Sequence, residues 1–299
     1  MIRRSNVLVG IAMLLIGAGL LLPALVRATG LARRTESTDH LGKIGAGLQA
    51  YHAVYGFYPS NGGPPPEAVT TPDVRTVYPD GMSVRWGFGD PARSGRLQTG
   101  SYAYAILPFV GEEETYRKQQ HDKAVKIYYL PARRPAVARD VPAKDPVHIG
   151  RYAVTAGLNP FGRSDYAAND QIVRPGMGLV MRRAEITDGV AETLFVGEKA
   201  MDRRDIKSGS EYWDQGIILG GCGCTGRKGK KLFQDADDLG ERLADNWGSP
   251  DPAGVQFLFV DGHVRLLPYK TAEDVIWSMM TPAGDDDVDV SEFESLHRR

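Results

Sequence analysis

The hydrophobic pattern of this chain begins with a block that has no polar positions. Val7 to Val26 is an unbroken apolar run, carrying Leu14 and Leu21 and preceded by Arg3 and Arg4. A run of about 20 residues is what a helix needs to cross a hydrocarbon core roughly 30 Å thick. The basic flank orients the N-terminus toward the cytoplasm and the rest of the chain outside, with Arg27, Arg33 and Arg34 diluting the asymmetry. A secretory signal peptide cut after Val26-Arg27-Ala28, before Thr29, competes with this reading. Signal-peptide cores usually run about 7–15 residues, so a retained anchor is preferred. Arg3-Arg4 alone is weak support for a twin-arginine signal.

Past the run the rhythm becomes helical. Leu41, Ile44, Leu48, Tyr51 and Tyr55 recur at spacings of three and four, with Glu36, Asp39 and Lys43 on other faces. Residues 6 to 56 can therefore be one helix of about 75 Å. Glycines at 30, 42, 45 and 47 each cost up to ~1 kcal/mol of helix propensity, which predicts a kink; Pro23 would bend the apolar half. Pro59 to Pro72 reads as a loop, and Ser101 to Tyr116 as a short helix interrupted at Pro108. Strands are predicted at Val125–Leu130, Arg151–Ala156, Thr193–Val196 and Trp213–Leu219. The sharpest local signal is Val255–Val260, Asp261-Gly262, His263–Leu267, a hairpin whose two turn positions both want positive φ. Thr271 then caps a helix through about Met280, with Asp274 in its first turn.

These elements divide the chain into an anchor (1–28), an amphipathic continuation of its helix (29–58), an extracytoplasmic α+β domain (59–284) and an acidic tail (285–299). The 35 glycines and 19 prolines favour many short elements over a helical bundle. Charge is balanced, with 36 basic and 37 acidic residues, which gives no support for a nucleic-acid partner.

Candidate chemistry is sparse. Histidines 40, 52, 121, 148, 263 and 297 are scattered, with no HExxH and no GxSxG, so neither a metal site nor a nucleophile-elbow hydrolase is supported, and no cofactor is implied. His263 reads as an edge-strand side chain. Cys222 and Cys224 can form a disulfide outside the cytoplasm, read as a staple in a glycine-rich surface loop rather than a redox pair. The tail GDDDVDVSEFE invites a calcium-loop reading with Glu292 as last ligand. Thr281 and Ala283 then fall where carboxylates belong and Asp286 where glycine belongs, so a solvated tail is preferred.

Several fragments, taken in order, resemble the pilin-like proteins of unknown function common in planctomycete-type bacteria. They are LLLPA (Leu20–Ala24), ARR (Ala32–Arg34), GAGLQAYHAVYGFYP (Gly45–Pro59), ILPFV (Ile106–Val110), YYLPARRP (Tyr128–Pro135), DYAAN (Asp165–Asn169), ITDGVAETLFVGEK (Ile186–Lys199) and FLFVDGHVRLLP (Phe257–Pro268). That family joins a prepilin-type N-terminal helix to a C-terminal motif of histidine, nine residues, then Asp-Gly. The resemblance implies a long helix packed on an antiparallel sheet with long loops. It also implies a non-enzymatic structural role, with the lipid bilayer and other pilin-like subunits or secretion-system components as partners. Departures accompany it. Met1 to Asn6 holds neither the family's glycine nor its glutamate, Asn6 taking the acid's place, which argues against prepilin-peptidase processing, N-methylation and polymerisation through a buried glutamate. The motif histidine is Asp251 here, before Asp261-Gly262, and a usual cysteine is Leu130. Gly10, Gly17 and Gly19 can admit close neighbours, though no GxxxG is present. The competing class is an anchored solute- or glycan-binding module using Trp86, Trp213 and Trp247 along the loops at 60–100 and 202–250.

Overall fold

The computed structural model describes residues 4–65, 75–77, 83–140, 152–154, 159–208, 214–237, 239 and 245–284. Within these, side chains are described from Gly19 onward, except at 20–22, 26, 75–77, 83–84 and 152–154. Helix α1 (Arg4–Tyr55) runs without a break through Pro23 and the glycines at 30, 42, 45 and 47, about 78 Å at 1.5 Å per residue. The apolar run from Val7 through Leu14 and Leu21 to Val26 falls largely on side chains outside the described set. Among the described residues no helix is long and apolar enough to cross a membrane.

The amphipathic half of α1 does what its spacing predicts. Leu41, Ile44, Leu48 and Tyr51 are buried and share one core with the sheet. Burying side chains of this size is worth roughly 1.5–3 kcal/mol each, far more than the glycines cost. Two glycines have opposite surroundings. A Cβ on Gly47 would meet Val110 Cγ1 at 2.5 Å, whereas one on Gly42 would meet nothing within 4 Å.

The main sheet has five strands in the order β12-β11-β6-β5-β8: β5 (Tyr166–Asn169), β6 (Leu194–Glu198), β8 (Gly226–Arg227), β11 (Val255–Phe259) and β12 (Val264–Leu267). Neighbours are antiparallel except β5 and β8, which run parallel, so the sheet is mixed rather than wholly antiparallel. Its two faces follow the period-2 alternation of β11. Leu258 joins the core under α1, whereas Val255, Phe257 and Phe259 pack with Ile276, Met279 and Met280 of α5 (Glu273–Met280) and with Trp247. The sheet is thus sandwiched, and the fold is α+β.

Smaller units surround it. β1 (Arg75–Val77) pairs with β2 (Ser83–Arg85) and β4 (Tyr152–Val154); β3 (Gly87–Phe88) pairs with β7 (Leu219–Gly220); β9 (Leu232–Gln234) runs parallel to β10 (Trp247–Ser249). At β3 and β7 the backbones approach too closely for side chains. A Cβ on Gly87 or Gly220 would lie 2.1 or 2.0 Å from the Thr99 carbonyl oxygen. α2 (Tyr102–Ala105) is capped by Ser101, and a 3-10 turn with Pro108 near its start separates it from α3 (Glu113–Arg117), much as the Pro108 interruption predicts. α4 (Asp205–Ser208) is a single turn.

Four local expectations are corrected. Val125–Leu130 is not a strand but a 3-10 turn at Lys126–Tyr128, because Tyr128 turns inward and donates its hydroxyl to the Ala103 carbonyl. Of Trp213–Leu219 only Leu219 enters a strand; Ile217 and Ile218 are core side chains on irregular backbone, and Trp213 lies outside the described residues. Thr271 does not cap α5: its hydroxyl donates to the Pro268 carbonyl, and Ala272 holds the N-cap position. The β11–β12 hairpin closes with a three-residue loop, since Phe259 N–H reaches His263 O and Gly262 N–H returns to Phe259 O. Only Gly262 has positive φ there, and Asp261 instead bonds the backbone of His263. β12 is one of the sheet's two edge strands.

The two helix glycines give a paired prediction. Gly42→Ala should raise the free energy of unfolding by up to ~1 kcal/mol through helix propensity. Gly47→Ala should lower it by about 1–3 kcal/mol through overpacking against Val110. Denaturant titration of both variants checks the contrast; a stabilised Gly47→Ala would mean that Val110 yields freely.

Candidate functional site

Two polar constellations stand out, and neither is built on the histidines of the sequence. The first is a buried ionic network. Arg133 and Arg134 sit just past the 3-10 turn, in the stretch LPARRP, where turn hydrogen bonds from both their N–H groups to the Leu130 carbonyl aim them inward. Arg133 forks onto Asp235, with Nε–Oδ2 2.7 Å and Nη2–Oδ1 3.0 Å, and donates to the carbonyl of Lys199. Arg134 forks onto Asp214 at 2.6 and 2.8 Å and reaches Asp165 at 2.7 Å. Asp214 also takes Arg163 at 3.2 Å and Lys199 Nζ at 3.1 Å. Every one of these groups is buried.

Burial opposes the charge on Asp214, yet Arg134, Lys199 and Arg163 together hold its carboxyl well below the usual range. Lys199 shares that carboxylate with two arginines, and burial brings its ammonium down to about 7. Removing one member of such a network strands a buried charge, at a cost of roughly 3–5 kcal/mol. The bidentate forks and carbonyl acceptors explain how so many charges survive without water. None of these groups lines the groove beside α1 or the smaller cavity at Tyr51.

The second constellation borders solvent. A groove of about 570 Å³ runs where α1 leaves the domain, with Arg27 to Ser37 on the helix side and Leu130, Ala132 and Ser249–Pro252 opposite. Glu198 lies at its base, 2 % exposed. Its Oε1 accepts the Ser37 hydroxyl at 2.7 Å, its Oε2 accepts the Gln256 N–H at 3.1 Å, and the Ser249 side chain bonds it too. Burial pushes the Glu198 carboxyl up to about 7, against the pull of those hydrogen bonds. Ser37 Oγ also lies 2.9 Å from the Tyr166 hydroxyl.

The motif position Asp251 stands on the rim. It receives Arg34 in a fork, Nε–Oδ2 2.7 Å and Nη2–Oδ1 2.9 Å, and so ties α1 to the turn before β11. Tyr269 fastens that turn by donating to the Asp251 carbonyl. Asp261, Gly262 and His263 lie at the opposite end of β11, so the two halves of the motif do not form one site. His263 pairs with Asp261 at 2.7 Å and stacks on Phe259 with ring centroids 4.3 Å apart; it is half-buried and lies in the loop just before β12 rather than in the edge strand.

The remaining expectations divide. Cys222 and Cys224 are joined by a disulfide, but both are buried in the main core rather than in a surface loop. Lys199 Nζ donates to the Cys224 carbonyl at 3.0 Å, which places this pair against the ionic network. Trp247 is fully buried against Phe257, and Trp86 packs on the core. A second, smaller cavity of about 130 Å³ is lined by Tyr51, Tyr55, Phe109 and Tyr116; neither cavity has a tryptophan wall. Among the described residues no three acidic, histidine or cysteine groups converge as a metal site; the acidic tail lies outside them.

Glu198 gives a pH-dependent prediction. Its folded pKa stands above the unfolded value, so it contributes stability that is full below about pH 4.5 and lost as pH rises through about 7. Glu198→Gln mimics the protonated form: its amide oxygen faces Gln256 N–H, its NH2 faces Ser37, and Ser37 turns its proton to Tyr166. The variant should lack this loss and be more stable than wild type at pH 8 by up to ~3 kcal/mol, the difference shrinking toward pH 5. Parallel melting curves from pH 5 to 8 would count against the assignment.

No curated protein and no solved structure matches the chain. A family model does, over residues 28–274, beginning just after the apolar run. The chain belongs to that family, SBP_bac_10, described as a protein of unknown function (DUF1559).

Proposed function

We propose that this chain is a membrane-anchored, extracytoplasmic structural protein of pilin or pseudopilin type, a component of a surface or secretion assembly rather than an enzyme. The observation that carries the reading is the division of α1. From Ser37 onward its inner face is buried on the sheet, while the residues from Gly19 to Arg33 whose exposure is described are all exposed. A single helix that is half packed and half free, with the free half ending in an apolar run, has the plan of a subunit that stands in a bilayer. Associations with other pilin-like subunits, or with type II secretion or type IV pilus components, are partners of this reading.

The ionic network supports it from another side. Its charged groups are spent on one another in the interior, which suits a rigid head more than a reaction centre. The absent glycine and glutamate at Met1 to Asn6 separate the shape from its usual maturation. The groove favours a second reading, an anchored binding module, because its volume falls within the range of about 300–1,000 Å³ common for ligand sites.

Fractionation tests the first reading. The protein should sediment with membranes, resist salt and carbonate washes, enter detergent, and keep a mass that starts at Met1. Protease added to spheroplasts should remove the domain. A mature chain starting at Thr29, or recovery in the soluble fraction, would overturn it.

A further inference from the structure

We infer that the groove between α1 and the Ser249–Pro252 turn holds one anionic phospholipid. This rests on the anchored reading for its setting, but the argument comes from the groove itself.

Its walls carry two chemistries. Leu31, Leu130, Pro250 and Pro252 give an apolar lining, while Arg27, Arg33 and Arg34 line the helix side. The carboxylates do not cancel all three cations. Asp251 is engaged by Arg34, and Glu198 faces inward to Ser37, Ser249 and Gln256. Among the described residues neither Arg27 nor Arg33 has an ion-pair partner, which leaves two guanidiniums at the mouth of an apolar trough. A phosphate diester is a natural mate for such forks, and an acyl chain for the trough.

Position adds to this. Arg27 is the first residue after the apolar run, so the mouth lies within two helical turns of where that run ends. Headgroups of a bilayer spanned by Val7–Val26 lie at that level. A second copy of the chain is a poorer occupant, because its α1 would bring the same arginines and like charges repel. Gly30 stands in the lining with open space around it, a Cβ there meeting nothing within 4 Å. The groove is open partly because that position has no side chain.

The test uses the full chain in detergent micelles doped with equal phosphatidylglycerol and phosphatidylcholine, read by native mass spectrometry. Wild type should keep one phosphatidylglycerol per chain, in large excess over phosphatidylcholine, and millimolar glycerol phosphate should not displace it. Displacement would assign the site to a free phosphate and overturn the lipid. R27Q/R33Q should lower retention about tenfold and erase the headgroup preference. Gly30→Leu, which fills the trough without touching charge and favours the helix, should lower retention of either lipid while the melting temperature holds or rises. Equal retention of both lipids by wild type, unchanged retention in either variant, or a lipid-free dimer would each overturn the proposal. Because micelles supply the lipid, a chain that retained phosphatidylglycerol but did not sediment with membranes would sink the anchored reading alone.

Discussion

The carboxylate of Asp214 is the constraint on which the interior of this protein turns. Arg134, Arg163 and Lys199 all reach it, and through Arg134 it is coupled to Asp165 and so to Arg133 and Asp235. The members come from the turn after Tyr128, from the chain before β5, from the end of β6 and from two irregular segments. In water each would be solvated separately; inside, none is tolerable without the others. The network therefore acts as a condition on assembly: the sheet, the arginine turn and the segments at Asp214 and Asp235 must close together.

Around it the apolar core does the ordinary work. α1 covers one face of the sheet and α5 the other, and β5, β6, β8 and β11 are buried along their whole length. The rim of this arrangement is where polarity returns. Ser37, Thr38, Glu198, Gln256 and Asp251 form a line of hydrogen bonds where the helix departs, and that line doubles as the base and edge of the groove. Attachment of the helix and the shape of the groove are thus properties of the same residues.

What the sequence reveals follows from how far each signal reaches. The buried face of α1 and the β11–β12 hairpin are legible because their patterns repeat within a few residues. β8, β9 and β10 have two or three residues each, too short to show a period, and β8 finds its partner β5 more than fifty residues away. The turn at Lys126–Tyr128 carries strand-like residues, and only the tertiary position of Tyr128 makes it turn. For the ionic network a faint signal exists: Arg133-Arg134 and Glu198-Lys199 are charged pairs beside apolar neighbours, in LPARRP and LFVGEK. A pair of arginines alone reads as surface; its carboxylates lie about 80 and 102 residues on. Asp251 shows the same limit. Its place in the motif is visible in sequence, but Arg34, its partner 217 residues earlier, is not.

The unbroken course of α1 has a mechanical meaning. Along a continuous helix each residue advances the phase by about 100°. The stripe from Ser37 to Tyr51 is locked to the sheet, so the azimuth of every residue before it is locked as well. One residue inserted near Arg33 would leave the head intact and swing the whole leading segment by more than a quarter turn. Which side of the molecule faces its surroundings is therefore set by the spacing between Arg34 and the residues before it, not by any contact those residues make.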